Sequence, residues 1–371
     1  MKSFFGALVA LLFSCLLTPA HCVAQIRSSP DEAPTVTAPA ASTSKAIPSG
    51  SSLSLHATSA MSVASEMGGA FMSGSKCDAD GNLYIRKYAA DRPLLGPVVK
   101  IDSDGKRTAL FDPAGFTQLA LDRADAFSPA ADGGIYQIAQ SGILKRNIYV
   151  LHFSSDGSPS TPTRLDADLE VYTFAAFADG NFLVSGVERD AHKNDRGRNF
   201  TAVFSADGRE LAQLSFDKPR AGTKTGTKPL AGAKEIPKTA EDAPVQLDLA
   251  EAEAGSDGNL YVMRSSSPAL VYVIAPSGKI ARTLKVTGPV PGATPGAFHV
   301  SGNQMALLFW NEETESRTVV VADAQTGRRI SIYNDLSGGS QFACFSANEG
   351  VFTFLRLGEG NSLDVIRAQA Q

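Results

Sequence analysis

A short turn motif recurs along this chain at near-regular spacing, and it constrains the fold more than any other feature. The clearest copy, Ser256-Asp257-Gly258-Asn259, precedes the apolar run Leu260–Met263. Other copies begin at Asp80, Asp132, Asp179, Ser301 and Asn348. Asp-Gly pairs supply the positive φ angles of short hairpin turns, and the apolar runs beside them supply strands.

The spacing of these copies predicts a β-propeller. The starting positions 80, 132, 179, 257, 301 and 348 are separated by 52, 47, 78, 44 and 47 residues. The wide gap contains residues 217–246, which show no strand pattern, and removing them restores a period of ~45–50 residues, the range of propeller blades. A second turn follows each first turn, so each repeat has four antiparallel strands. We therefore predict an all-β, six-bladed β-propeller, with a run of hairpins in a sandwich or β-helix as the alternative.

The two ends of the repeat region are predicted to close the ring. The last repeat stops after its third strand, Ser362–Ala368, and no residues remain for a fourth. The stretch Ser52–Ala57 alternates apolar and polar residues ahead of the first repeat. Because an open ring leaves an unpaired strand edge, we predict that Ser52–Ala57 pairs with Ser362–Ala368 as the missing outer strand.

The N-terminal region predicts export from the cytoplasm. Residues 1–24 have the charge, apolar run and small residues of a secretory signal peptide. Acylation of Cys22 is the alternative, although Pro19-Ala20-His21 fits a lipoprotein box poorly. Residues 25–50 are rich in Ser, Thr, Ala and Pro, which predicts a disordered leader. We predict that residues 51–371 form the propeller, with 217–246 as a flexible insertion. The protein is expected to be periplasmic or secreted.

Charge and hydropathy limit the partners. The net charge of −4 is small for 371 residues and argues against nucleic acid. The apolar run Phe4–Leu17 is shorter than the ~20 residues of a membrane span, so we expect no transmembrane span in the mature chain. The remaining partner classes are a protein, a glycan or a small polar ligand.

Two cysteines lie outside the predicted signal peptide. Cys77 is near the end of the first strand of the first repeat, and Cys344 is in the first strand of the sixth. Those strands are neighbours in a closed ring, so we predict a disulfide across the closure. Two buried free thiols are the alternative, because adjacent inner strands often exceed the ~7 Å Cα separation that a disulfide allows.

The pattern Asp-Gly-Asn-Leu-Tyr-Val, followed by an apolar strand and Ser-Gly-Lys, resembles the NHL-repeat group of six-bladed propellers. That group includes the streptogramin-lyase-like and the SMP-30 gluconolactonase-like folds, and the resemblance covers residues 52–371. It implies the blade geometry but not an activity, because the same fold carries lactonases, lyases and binding modules. Its catalytic members hold a metal on the ring axis.

Residues on the predicted axis form a candidate site. Glu251 and Glu253 share one face of the first strand of the fourth repeat. The equivalents of Glu253 are Lys76, Ser128, Ala175 and Cys344, which do not supply the converging oxygens of a hard-metal site. No cofactor and no family site residue can be assigned.

Lys76 and Glu253, in the first and fourth repeats, are predicted to face each other across the channel, with Glu251 and His299 nearby. Asp125 also lies at the end of a first strand. These groups predict a polar ligand site, and an ion pair or solvated channel charges are the alternative.

The function that these features predict is an exported, non-catalytic propeller that binds a protein, a glycan or a small polar ligand on one face. The alternative is a metal-dependent hydrolase or lyase, lactonase-like, with its site on the propeller axis. The sequence leaves open whether the protein is an enzyme.

Overall fold

The computed structural model describes residues 52–142, 146–165, 167–188, 198–214, 216, 249–334, 340–358 and 362–370. The predicted signal peptide (1–24), leader (25–50) and insertion (217–246) lie outside these residues. Within the described ranges, no helix is both long enough and apolar enough to cross a membrane.

The protein is an all-β propeller whose blades are four-stranded antiparallel sheets. It begins with β1 (Leu53–Ser62) and a one-turn helix, α1 (Ala64–Met67). The first sheet contains β2 (Phe71–Cys77), β3 (Leu83–Lys87), β4 (Val98–Ile101) and β5 (Arg107–Phe111), and a 3-10 turn (Pro113–Gly115) follows it. The second contains β6 (Arg123–Pro129), β7 (Ile135–Ser141), β8 (Asn147–Phe153) and β9 (Thr163–Leu165).

Two further sheets repeat this arrangement. The third contains β10 (Leu169–Ala176), β11 (Phe182–Glu188), β12 (Arg198–Phe204) and β13 (Glu210–Gln213). The fourth contains β14 (Leu249–Ala254), β15 (Leu260–Arg264), β16 (Ala269–Ile274) and β17 (Ile280–Val286). In each of these four sheets the strands are hydrogen-bonded in chain order, as consecutive hairpins require.

The remaining strands form one eight-stranded sheet. They are β18 (Thr294–Ser301), β19 (Gln304–Asn311), β20 (Ser316–Asp323), β21 (Arg329–Asn334), β22 (Gln341–Ser346), β23 (Val351–Leu357) and β24 (Leu363–Ala370). The order is β18-β19-β20-β21-β1-β24-β23-β22. The sequence predicts separate sheets for the last two repeats, whereas here β1 joins them.

The N-terminal strand β1 makes this junction. It runs antiparallel to β24, from Leu55 opposite Ala370 to Ser62 opposite Asp364. Its first residues also pair in parallel with β21, with Leu53 opposite Tyr333. The strand therefore lies beside the third strand of the last repeat, as the sequence predicts, but it is longer than the predicted Ser52–Ala57 and binds the preceding repeat as well.

The first strands of the repeats pack against one another in chain order. The contacting pairs are β2–β6, β6–β10, β10–β14, β14–β18, β18–β22 and β2–β22. Apolar clusters fill the space between neighbouring sheets. In one cluster Phe111 of the first sheet packs with Phe153 of the second, and in another Val99 of the first sheet packs with Leu355 of β23. This apolar burial between blades is the main stabilising term of the fold.

The recurrent turns explain the sequence motif. Gly81 and Gly258 both have φ of 78°, a backbone conformation that residues with a Cβ rarely adopt. A turn aspartate accepts a hydrogen bond of 3.0 Å from the tyrosine of the next strand in both cases. Tyr261 donates to Asp257, directly before Gly258, and Tyr84 donates to Asp78, three residues before Gly81. The motif therefore stabilises the turn and its connection to the second strand.

Cys77 and Cys344 form a disulfide between β2 and β22. Their sulfur atoms are 1.97 Å apart and their Cα atoms 6.1 Å apart, and the two residues are 267 positions apart in sequence. Both residues are buried in the apolar cluster that contains Val99 and Leu355. The bond links the first strand of the first repeat to the first strand of the last.

Candidate functional site

The first strand of each repeat contains a β-bulge where it pairs with the second strand. The register shifts fall between Phe71 and Ser75, Ala124 and Phe127, Val171 and Thr173, Leu249 and Glu251, Pro295 and Ala297, and Phe342 and Cys344. A bulge leaves residues without a partner on the second strand and redirects their side chains. The bulges therefore decide which residues of the first strands face the space between the sheets.

A pocket of about 230 Å³ lies beside three of these bulges. Its lining includes Gly74, Asp125 and Tyr172, each of which falls within a register shift. Phe127 and Phe174, from β6 and β10, add apolar surface. The pocket is thus formed mainly by first strands, on the side of the bulges.

Four charged side chains line the pocket, namely Lys76, Arg86, Asp125 and Glu251. They come from β2, β3, β6 and β14. Lys76 and Glu251 were predicted as ligand-binding residues, and the structure places both in the pocket wall. A pocket with two cations and two carboxylates can bind a polar ligand or exchange protons with it.

Glu253 contacts the pocket residue Lys76. The Lys76 Nζ atom lies 2.5 Å from Glu253 Oε1 and 3.2 Å from the carbonyl oxygen of Ala252. The exposed fractions of the two charged side chains are 15% for Lys76 and 8% for Glu253. Although burial opposes the charged ammonium, Glu253 and Glu251 hold the pKa of Lys76 above its usual value. Lys76 is therefore protonated at neutral pH.

Glu251 is a carboxyl group that titrates near neutrality. Desolvation raises its pKa to about 7, while Lys76 opposes this shift and Glu253 adds to it. Its Oε2 atom accepts a hydrogen bond of 2.9 Å from the backbone N–H of Phe298 in β18. A carboxyl with this pKa is present in both protonation states at physiological pH, so it can accept a hydrogen bond or donate one.

His299 lies outside the pocket lining. Its Nδ1 atom accepts a hydrogen bond of 3.3 Å from the backbone N–H of Phe345, which connects β18 to β22. Burial lowers the pKa of the imidazole, so the ring is neutral at pH 7. Of the four predicted ligand-binding residues, the structure therefore brings two into the pocket, pairs Glu253 with one of them, and uses His299 to bridge two first strands.

Arg86 and Tyr172 are pocket residues that the sequence reasoning missed. The Arg86 guanidinium donates to the carbonyl oxygens of Ala124 and Leu94, and its Nη1 atom lies 3.9 Å from Asp125 Oδ1. Within the described part of the chain its Nε atom has no hydrogen-bond partner. The sequence signal for Arg86 is a charged residue directly after the apolar run Leu83–Ile85. It lies on the second strand of the repeat, whereas the site residues were sought on the first strands.

Among the residues that the structure describes, no three His, Cys, Asp or Glu side chains are placed together to hold a metal ion. The carboxylate of Glu253, one of the predicted axis residues, is in contact with the ammonium of Lys76.

Comparison with known proteins concerns the fold alone. No protein-family model matches the chain, and no curated protein matches it. Among solved structures, the Neurospora crassa Pan2 WD40 domain is similar with a TM-score of 0.43 and 11% identity, over 86% of this chain and 97% of that one.

Two other solved structures are similar at the same level. The Myceliophteria thermophila Cps50 (Swd1) β-propeller domain has a TM-score of 0.42 and 10% identity, over 80% of this chain and 97% of that one. The Dos1 propeller has a TM-score of 0.38 and 13% identity, over 78% of this chain and 75% of that one.

Proposed function

We propose that this protein is an exported, non-catalytic β-propeller that binds a small polar ligand in the pocket beside the bulges of its first strands. The single observation that carries the proposal is the convergence of Lys76, Arg86, Asp125 and Glu251 on one pocket. Charged groups are costly to hold away from water, and sites that recognise polar ligands are where such groups converge.

We also propose that the sheets form six blades, as in the NHL-repeat group. The eight-stranded sheet divides into two four-stranded halves at β1, which meets β21 through a short parallel pairing. The contacts among the first strands form a cycle in which β22 meets β2. Both observations support a closed ring of six, with β1 as the outer strand of the last blade.

Export is part of the proposal. The charge and apolar pattern of residues 1–24 supports a signal peptide, and the disulfide between Cys77 and Cys344 supports an oxidising compartment. We place the protein in the periplasm or outside the cell. Sequencing of the mature N-terminus by mass spectrometry tests this, with cleavage after Ala24 as the expected result and a free, unprocessed Met1 as the contrary one.

Binding is favoured over metal-dependent catalysis on the axis because of one contact. A metal lactonase or lyase needs several oxygen ligands converging on a cation. The ammonium of Lys76 already lies against Glu253, where a metal would need that carboxylate. We therefore propose a ligand site rather than a lactonase-like or lyase-like centre.

The proposal is tested by measuring thermal unfolding of the full chain in a library of small polar metabolites. A ligand that binds the folded state raises the melting temperature, because it stabilises by RT ln(1 + [L]/Kd). We expect at least one compound to do so in the wild type and not in Glu251→Gln. Asp104→Asn is the matched control, because Asp104 is exposed in the β4–β5 turn, away from the pocket lining. Stoichiometric divalent metal with lactone hydrolysis that requires it would contradict the proposal.

A further inference from the structure

Within the described residues, the pocket keeps hydrogen-bond donors on its cations and acceptors on its carboxylates that are available to a ligand. Arg86 Nη1 is 3.9 Å from Asp125 Oδ1, beyond hydrogen-bond distance. Lys76 makes two hydrogen bonds, one to Glu253 and one to a carbonyl oxygen, and an ammonium has three N–H groups. The cations therefore keep donors that a ligand can use.

The carboxylates keep acceptors in the same way. Glu251 receives the Phe298 N–H at Oε2, and its charge raises the pKa of Lys76. Asp125 accepts a hydrogen bond from Arg123, whose side chain is 55% exposed. Because water screens this pair, Arg123 neutralises the charge of Asp125 only in part. Asp125 and Glu251 thus present negative charge to the pocket from β6 and β14.

The cost of removing water from the charged groups of the pocket is compensated to a different extent by different classes of ligand. A ligand that fills the pocket removes water from two cations and two carboxylates, and charged groups regain that cost only from charged or strongly polar partners. A neutral sugar can hydrogen-bond to all four groups but carries no charge that compensates theirs. A simple anion compensates Lys76 and Arg86 but repels Asp125, and a simple cation does the reverse.

The dimensions of the pocket limit the ligand further. Its volume of about 230 Å³ lies below the ~300–1,000 Å³ that is typical of pockets for drug-sized ligands. Phe127, Phe174 and the half-exposed Tyr172 form its apolar part. A compact molecule with one small apolar group fits this combination.

We infer that the ligand is a small zwitterion of the free amino-acid class. Its ammonium faces Asp125 and Glu251, its carboxylate faces Arg86 and Lys76, and its side chain lies against the aromatic residues. This inference rests on the proposed function, since it names the ligand class of the same pocket.

The test is isothermal titration calorimetry of the full chain against the twenty L-amino acids and a set of dipeptides made from them. The best ligand is then compared with its amine, which lacks the carboxylate, with its carboxylic acid, which lacks the ammonium, and with glucose. We expect each single-charge analogue and glucose to bind at least about tenfold more weakly than the zwitterion. The dipeptides show whether the pocket binds free amino acids or short peptides.

Variants locate the binding in the pocket. Asp125→Asn and Glu251→Gln keep shape, and at pH 8, above the pKa of about 7 of Glu251, each removes a negative charge. Both should then weaken the zwitterion at least about tenfold while leaving the affinity of the carboxylic acid equal or higher. Asp104→Asn is expected to bind as the wild type does. Circular dichroism of each variant checks that it is folded.

The outcomes separate the two proposals. The amino-acid inference is wrong if glucose or a single-charge analogue binds as tightly as every zwitterion and this binding is lost in Asp125→Asn. In that case the proposed function, a pocket for a small polar ligand, still holds. If none of the compounds in either screen binds, both the inference and the proposed function are wrong.

Discussion

The ammonium of Lys76 lies 2.5 Å from the carboxylate of Glu253, although 177 residues separate them and they belong to different sheets. Both side chains are largely buried, so water contributes little screening. The pair therefore connects β2 to β14 at the edge of the pocket, and its energy depends on both partners being present.

Removing one partner of this pair should destabilise the protein. Glu253→Gln leaves the buried ammonium of Lys76 without its nearest carboxylate, and we expect a loss of about 2–4 kcal/mol in the free energy of unfolding, measured by urea titration. The double variant Lys76→Met/Glu253→Leu should recover most of this loss, because it removes both charges.

An exposed pair provides the control. Asp364→Asn removes the partner of Arg356, whose side chain is 43% exposed, and should cost less than about 1 kcal/mol. Equal losses for Glu253→Gln and Asp364→Asn would show that burial does not strengthen the Lys76–Glu253 interaction.

Glu251 should give the stability a pH dependence at neutrality. Its folded-state pKa, about 7, lies above the unfolded value of 4.5, so the folded state binds the extra proton between those values. Its contribution is therefore complete below pH 4.5 and is lost as pH rises through about 7.

The measurement is the difference in unfolding free energy between the wild type and Glu251→Gln from pH 5 to pH 8. We expect the wild type to lose on the order of 2 kcal/mol relative to the variant across this range. The two proteins differ only at residue 251, so the comparison isolates the contribution of Glu251. A difference that is constant with pH would contradict the assigned pKa.

The disulfide between Cys77 and Cys344 should contribute to stability. Cys77→Ala/Cys344→Ala removes a link between residues 267 positions apart, and we expect a loss of about 2–5 kcal/mol in the free energy of unfolding. Reductant should lower the melting temperature of the wild type and leave that of the double variant unchanged. Two alkylatable thiols at these positions, in unreduced protein purified from an oxidising compartment, would show that the bond does not form there.

The N-terminal strand should hold the last two repeats together through Leu55. This side chain is buried with Phe354, Ile366 and Ala368, and Leu55→Ala should cost about 2–4 kcal/mol. The neighbouring His56 faces solvent, so His56→Ala is the matched control and should change stability by less than about 0.5 kcal/mol. Equal effects would indicate that β1 contributes by backbone pairing alone.

Local chemistry made the sheets and much of the site predictable. The Asp-Gly turns and apolar runs are short-range signals, so the strand β4 (Val98–Ile101) and the placement of β1 follow from them. Lys76 and Glu253 were found by counting back from the turns, because no bulge interrupts the alternation between these residues and the turn.

The tertiary structure alone decided the pocket and the joining of the last two repeats. The bulges redirect Asp125 and Tyr172, and residues 124–127 and 171–173 contain no glycine that would mark these bulges in the sequence, unlike Gly74 in β2. Arg86 enters the pocket from a second strand because of the contacts that β3 makes with the following sheet. β1 reaches β21 as well as β24 because both strand edges lie within hydrogen-bonding distance once the chain is folded.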